Sequence, residues 1–298
     1  MSQNTISKQK RSFFMLILAM FIYGTIGIFR RYIPISSGIL AFARGIIGSV
    51  FLFLFVLLRG HKFHFSGSRK KLILLILTGA IIGFNWIFLF EAYQYTSVAI
   101  ATLCYYMAPI LIILVSPFLF HEKITLRKAI CVLIALIGAV CVSGVPDTGI
   151  PKIGEMLGIL FGLGAAVLYA AAVMLNKKIV GIGTYEKTIL QLFSASVILL
   201  PYLLFTEDFS SLEMTGTSFL MLIIVGIVHT GIAYALYFGS VEGLKAQTVA
   251  LFSYVDPITA ILLSAVILQE RMTIWGILGT ILILGSAIFS ELEHSKKT

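Results

Sequence analysis

The sequence predicts an all-α membrane protein, and three features carry that expectation. Of its 298 residues, 59% are hydrophobic and only 12% charged, about half the charged share of a soluble domain, so much of the apolar surface must face lipid. Apolar stretches near the ~20 residues that a helix needs to cross the hydrocarbon core follow one another from Phe13 to Ser290 with short polar breaks. Each is far longer than the ~10-residue strand of a membrane barrel and lacks the alternation such a strand shows.

The stretches run Phe13 to Phe29, Ser37 to Leu58, Leu72 to Ala92, Val98 to Leu119, Thr125 to Ser143, Gly154 to Leu175, Tyr185 to Phe205, Thr217 to Phe238, Gln247 to Leu268 and Ile274 to Ser290. They predict ten transmembrane helices. The N-terminal Lys8, Lys10 and Arg11 before an apolar run imitate a signal peptide. The run is long for one, however, and no clear small-residue cleavage site follows, so it reads as the first retained span.

A net charge of +9 would suggest nucleic acid for a soluble protein, but here Lys and Arg collect in alternate loops. Seventeen of them, including the group from Arg59 to Lys71, fall on one side, against Arg30, Arg31, Lys152 and Arg271 on the other. The asymmetry predicts a multi-pass protein of the cell (cytoplasmic) membrane with both termini in the cytoplasm. Cys104, Cys131 and Cys141 sit inside spans with no CxxC pair and no clustered His, which suits packing better than redox or metal chemistry.

An internal repeat sets the architecture. A shift of 148 residues places Tyr106 on Tyr254, Pro109 on Pro257, Glu122 on Glu270, Lys123 on Arg271 and Thr125 on Thr273. Tyr23 falls opposite Tyr169 at a slightly different offset. The halves divide as residues 1–148 and 149–298. Because five spans is an odd number, the second half re-enters from the opposite face, so the expected fold is two inverted five-helix repeats, an arrangement that serves alternating access.

At these residues the chain resembles the drug/metabolite transporter superfamily and, within it, the EamA family. The resemblance rests on Ala92-Tyr93-Gln94-Tyr95-Thr96-Ser97-Val98-Ala99, Pro109, His121-Glu122-Lys123-Ile124-Thr125 and Gly138, repeated as Gly243, Ala246, Pro257, Gln269-Glu270-Arg271-Met272-Thr273 and Gly285. It implies a ten-helix carrier with a central cavity between the halves, often an exporter of amino acids and other metabolites.

Charged groups within spans are costly and are candidate sites by default. Asp256 is the sharpest, about ten residues into its span and followed by Pro257, which removes a backbone hydrogen bond. Its counterpart is Ala108, so the repeat alone does not demand a carboxylate there. His229 lies about as far before the intervening loop as Asp256 lies after it, which puts both at one depth and suggests a proton-coupling pair. Arg44 lies near the outer end of its span, within reach of the interface or of Glu91, and Gln191 stands opposite it in the repeat.

Thr102, Tyr105, Tyr106 and Pro109 recur at helical spacing and form one polar, aromatic face, while Asn85 and Trp86 of the preceding span reach a similar level. These residues and Tyr254 are the expected substrate contacts, with Tyr23, Tyr169 and Tyr234 weaker members of the set. The same residues also suit an aromatic helix interface. Glu122 and Glu270 precede Thr125 and Thr273, good N-cap residues, so both read as hairpin residues.

The expected function is a secondary transporter of small metabolites, exporting amino acids or related compounds by alternating access, with proton-coupled uptake of a small organic cation or other nutrient as the alternative. Its partners are the small-molecule substrate, the lipid bilayer and, for the alternative, protons; no nucleic acid and no cofactor is implied. An intramembrane enzyme would need a nucleophile with its base or a ligand cluster, and neither HExxH nor paired aspartates in facing spans occurs. No phosphate-binding P-loop occurs to couple ATP. The topology makes a direct prediction: a membrane-impermeant thiol reagent added to intact cells should modify a cysteine substituted at Thr215 but not one substituted at Ser68, and equal labelling would overturn the orientation.

Overall fold

The computed structural model describes residues 3–60, 67–120, 125–142, 152–179, 181–207, 209, 214–241, 244 and 252–291. Among them every regular element is helical. In the first half these are α1 (Gln3–Arg31), α2 (Ser37–Leu58), α3 (Arg69–Tyr95), α4 (Val98–Tyr105), α5 (Ala108–Phe120) and α6 (Leu126–Val142). The second half contributes α7 (Ile153–Lys178), α8 (Thr184–Thr206), α9 (Gly216–Ile224), a π-helical segment (Val225–Ile232), α10 (Ala233–Val241), α11 (Val255–Ile267) and α12 (Ile274–Glu291).

Among the described residues six stretches are long and apolar enough to cross a membrane: Gln9–Arg31, Ser37–Leu58, Arg69–Tyr95, Ile153–Asn176, Tyr185–Thr206 and Gly216–Tyr237. Four shorter apolar segments, Val98–Ile112, Ala129–Val142, Val255–Ile267 and Ile274–Ser286, stand where the remaining expected spans fall. Helix starts follow local chemistry. Ser36, Ser68, Ser97 and Thr215 each accept a hydrogen bond from the backbone N–H three residues on, satisfying a donor that the first turn leaves open. Thr273 does the same for Gly276 at 3.1 Å, as its place in the sequence predicts.

One expectation needs correction. The stretch from Val98 to Leu119 is not one helix: it breaks between Tyr105 and Ala108, because Pro109 has no N–H for the carbonyl four residues back. The stretch from Thr217 to Phe238 is continuous but widens into the π-helical segment, a change that apolar periodicity does not register. Glu122, Gly243 and Ala246, singled out in the sequence, lie outside the described residues.

The helices interleave across the two halves. α3 packs on α7 and α8, α2 on α8 and the π segment, α1 on α10 and α11, α4 on α7 and α11, and α6 on α12. The pattern repeats itself: α1 packs on α10 and α11 as α7 packs on α3 and α5. A buried cluster around Trp86, Phe90, Leu192 and Leu199 joins α3 to α8.

In lipid, close helix contact takes the place of hydrophobic burial as the source of association, and small residues allow it. A Cβ added at Gly279 would stand 2.6 Å from the Gly138 carbonyl oxygen and 2.9 Å from the Val142 nitrogen, both backbone atoms that cannot swing aside. Gly279→Val should therefore cost about 1–3 kcal/mol of stability by overpacking. It should lower the midpoint of thermal unfolding in detergent, whereas Gly276→Ala, whose Cβ would meet only side-chain atoms at 3.5 Å or beyond, should not.

Candidate functional site

The centre of the bundle is set by two helix interruptions that the repeat places in register. In the first, the Met107 N–H reaches back only three residues to the Cys104 carbonyl at 3.1 Å, and α5 starts at Ala108. In the second, α11 begins after a turn at Ser253 and Tyr254, and the Ser253 carbonyl that Pro257 cannot satisfy accepts from the Asp256 N–H at 3.3 Å. Each interruption carries a tyrosine. The rings of Tyr106 and Tyr254 lie 6.3 Å apart, and the Tyr106 hydroxyl donates to Asp256 Oδ2 at 2.6 Å. The two breaks thus meet, and the carboxylate of one is held by the phenol of the other.

Tyrosines surround this contact. Tyr105 lies edge-on to Tyr106 at 5.8 Å and 5.4 Å from Tyr169, while Tyr23 lies edge-on to Tyr234 at 5.8 Å. Tyr169 keeps 41% of its surface accessible although it sits against Tyr105, and Asp256 is only half-buried. The cluster therefore adjoins open space rather than sealed core. Tyr23 and Tyr93 lie within Coulombic reach of both Asp256 and Arg44, so the two charges belong to one neighbourhood.

Arg44 points inward, contrary to the expectation that it reaches the interface or pairs with Glu91. It is 4% exposed. Its Nε donates to Thr230 Oγ1 at 3.0 Å, and its guanidinium lies 4.4 Å from the centre of the Trp86 ring and 5.4 Å from that of Phe90. The physical reason is depth: Trp86 stands five residues deeper on α3 than Glu91, and the latter lies within Coulombic reach of Arg30 at the end of α1. Thr230 belongs to the π segment, and its hydroxyl donates to the Val225 carbonyl five residues back at 3.2 Å. The wider turn thus seats the residue that fixes Arg44, and π-helical turns recur at functional sites.

His229 does not pair with Asp256. Its Nε2 meets Thr25 Oγ1 at 2.8 Å, and its ring lies edge-on to Phe29 at 4.7 Å. The Thr25 hydroxyl also donates to the Ile22 carbonyl at 2.7 Å, so the threonine ties the histidine to its own turn of α1. Nδ1 is buried without a partner at hydrogen-bonding geometry. What separates His229 from Asp256 is α1: Thr25 takes the histidine, while the adjacent Gly24 leaves room for the Asp256 carbonyl, which a Cβ there would approach to 2.6 Å.

Of the other expected contacts, Thr102 is buried and lies 3.4 Å from the Tyr93 hydroxyl. Asn85 turns away from the tyrosines and donates to the Ala165 carbonyl on α7 at 2.6 Å. Gln191 donates to Asn176 at 2.8 Å. Sequence reasoning missed Thr25, Tyr93 and Thr230, whose types are unremarked in a helix; the proximity of Thr230 to His229 was the one available signal. Among the described residues no cluster of His, Cys, Asp and Glu could hold a metal, and the three cysteines are buried and form no disulfide.

The stacking of Arg44 on Trp86 is directly observable. In a Trp275→Phe background Trp86 is the only indole, so Arg44→Lys, which exchanges a planar stacked cation for a compact ammonium, should change both the intensity and the maximum of its emission. Unchanged emission would count against the contact.

The chain and its fold have relatives. The model of the EamA-like transporter family matches the chain twice, over residues 10–144 and 156–291. The uncharacterized transporter YxxF of Bacillus subtilis strain 168 is 30% identical over 294 residues, covering 98% of this chain and 93% of its own. The uncharacterized transporter YetK of the same organism is 28% identical, covering 98% and 90%. A solved crystal structure, 20% identical, shares the fold with a TM-score of 0.68 over 96% of this chain and 99% of that one. With both halves matched, the chain belongs to the EamA-like transporter family.

Proposed function

We propose that this membrane transporter is a secondary carrier with ten spans in two inverted five-helix halves, residues 1–148 and 149–298, and that it exports amino acids or related compounds across the cytoplasmic membrane by alternating access. One observation carries the reading: Arg44 from the first half and Asp256 from the second share a tyrosine-lined centre without pairing with each other. Arg44 is held by a threonine and an indole, and Asp256 by a phenol. A guanidinium suits a carboxylate, a carboxylate beside aromatic rings suits an ammonium, and a zwitterion offers both. The interruptions at Pro109 and Pro257 support the inverted arrangement, since transporters place substrates at broken helices between repeats.

Tyr105, Tyr106, Tyr254 and Trp86 line the site in this reading, with Thr102 behind Tyr93. Asn85 and His229 support it as helix-joining residues, Asn85 toward α7 and His229 toward α1. Proton-coupled uptake is the second reading, favoured by the half-buried Asp256, whose charge follows its solvation and neighbours.

Proteoliposome assays over a panel of amino acids and their decarboxylated amines test both. Arg44→Gln should raise the half-saturating concentration of an amino acid by about ten- to a hundredfold, the loss of a charge-assisted hydrogen bond, while leaving the matching amine little affected. Asp256→Asn should weaken both. If protons are coupled, Asp256→Asn should instead remove the pH dependence of net flux while sparing exchange. Wild-type behaviour of both variants toward every solute transported would overturn the site.

A further inference from the structure

One carboxylate away from the centre joins both halves of the molecule at a single membrane face. Glu270 Oε1 accepts from the Arg31 guanidinium at the end of α1 at 2.9 Å, and its Oε2 accepts from the Val98 N–H at the start of α4 at 2.9 Å. The Ser264 hydroxyl, on α11, also bonds Oε2. Arg31 with Glu270 is the ion pair found among the described residues. Both the arginine and the open N–H at a helix start favour an anion.

The backbone is bent to deliver this carboxylate. The N–H groups of Leu268 and Glu270 both return to the Ser264 carbonyl, at 3.1 and 3.2 Å, closing α11 by a turn whose pivot is Gln269. Its φ of 56° lies in the left-handed region where glycine is normal and glutamine is strained. A hairpin needing only to turn would be served by glycine. Here the strained turn lands Glu270 on the α4 start and on Arg31, and strain of this kind gathers at clamps and switches.

The node is neither sealed nor loose: Arg31 is 39% exposed and Glu270 16%, so water reaches the ion pair and can replace its bonds when they break. It spans the line along which α1 and α4 of one half must part from α11 of the other if the tyrosine-lined centre is to open to that face. We propose that Glu270 is a latch at the outer face, closing the carrier on that side by holding α1 and α4 to α11 and releasing them once in each cycle. This rests on the alternating-access reading, and it gives Glu270 a role beyond that of a hairpin residue.

The test reads distance rather than transport. Spin labels at Tyr32→Cys and Ile274→Cys, both exposed positions beside the node, would report the gap between the halves in nanodiscs, with the three native cysteines replaced by alanine. Glu270→Gln keeps the shape and the acceptor but removes the charge. It should raise the ratio of long to short distances at least threefold over the parent, and Arg31→Gln should shift it less, in the same direction. An unchanged distribution in monodisperse Glu270→Gln would overturn the latch; should that variant fail to fold, an unchanged distribution in Arg31→Gln would do so. A shifted distribution in a protein that transports nothing would leave the latch standing and remove the carrier reading instead.

Discussion

The centre of the structure hangs on two of the backbone hydrogen bonds that its prolines remove. Pro109 and Pro257 have no N–H, and in a bilayer no water stands ready to satisfy the carbonyls they leave. A chain in that position must bury the defect in protein. The bundle does so by bringing the two interruptions together, so that Tyr106 of one reaches Asp256 of the other. Interleaving follows from the same need: α4 packs on α11, and α1 and α7 pack alongside them, so each half covers the break of its partner.

Once that centre exists, its electrostatics are unusual for protein in lipid. A buried guanidinium and a half-buried carboxylate in one neighbourhood would ordinarily be expected to pair, because desolvating each alone costs several kcal/mol. Here neutral groups partner both. Thr230 and two aromatic faces hold Arg44, and α1 and the tyrosines stand around Asp256. A direct ion pair would neutralise the centre and leave little for a solute to gain. Charges held apart by hydroxyls and rings keep their attraction available, and the hydroxyls supply hydrogen bonds without competing as counter-ions.

Much of this was legible in the sequence. Composition and run length gave the helices, because lipid demands long apolar stretches, and the shared Tyr, Pro and Glu spacing gave the repeat, because the two halves are copies of one family unit. Asp256, Tyr106 and Tyr254 were each readable as candidates, the first by its charge and the tyrosines by the repeat, but that Tyr106 meets Asp256 was not. What escaped was set by side-chain direction. Arg44 sits near its helix end by residue count, and the sequence does not say that it turns toward Trp86 rather than Glu91. His229 and Asp256 share a depth, but which helix lies between them depends on packing across the halves. The π-helical segment was invisible because it alters the turn by one residue while leaving apolar composition intact.

α1 connects these features. Within nine residues it places Tyr23 in reach of both central charges, Gly24 against the Asp256 carbonyl, Thr25 on His229 and Arg31 on Glu270. At 1.5 Å per residue, Tyr23 and Arg31 are about 12 Å apart along an unbroken helix. Over so short a length a tilt or rotation of α1 at Tyr23 and Gly24 would carry to where Arg31 meets Glu270. Coupling of this kind needs a rigid element with two arrangements that both sites bias. α1 has the contacts at both places, and the Glu270 node, bonded but reachable by water, is the end where solvent can replace bonds that part.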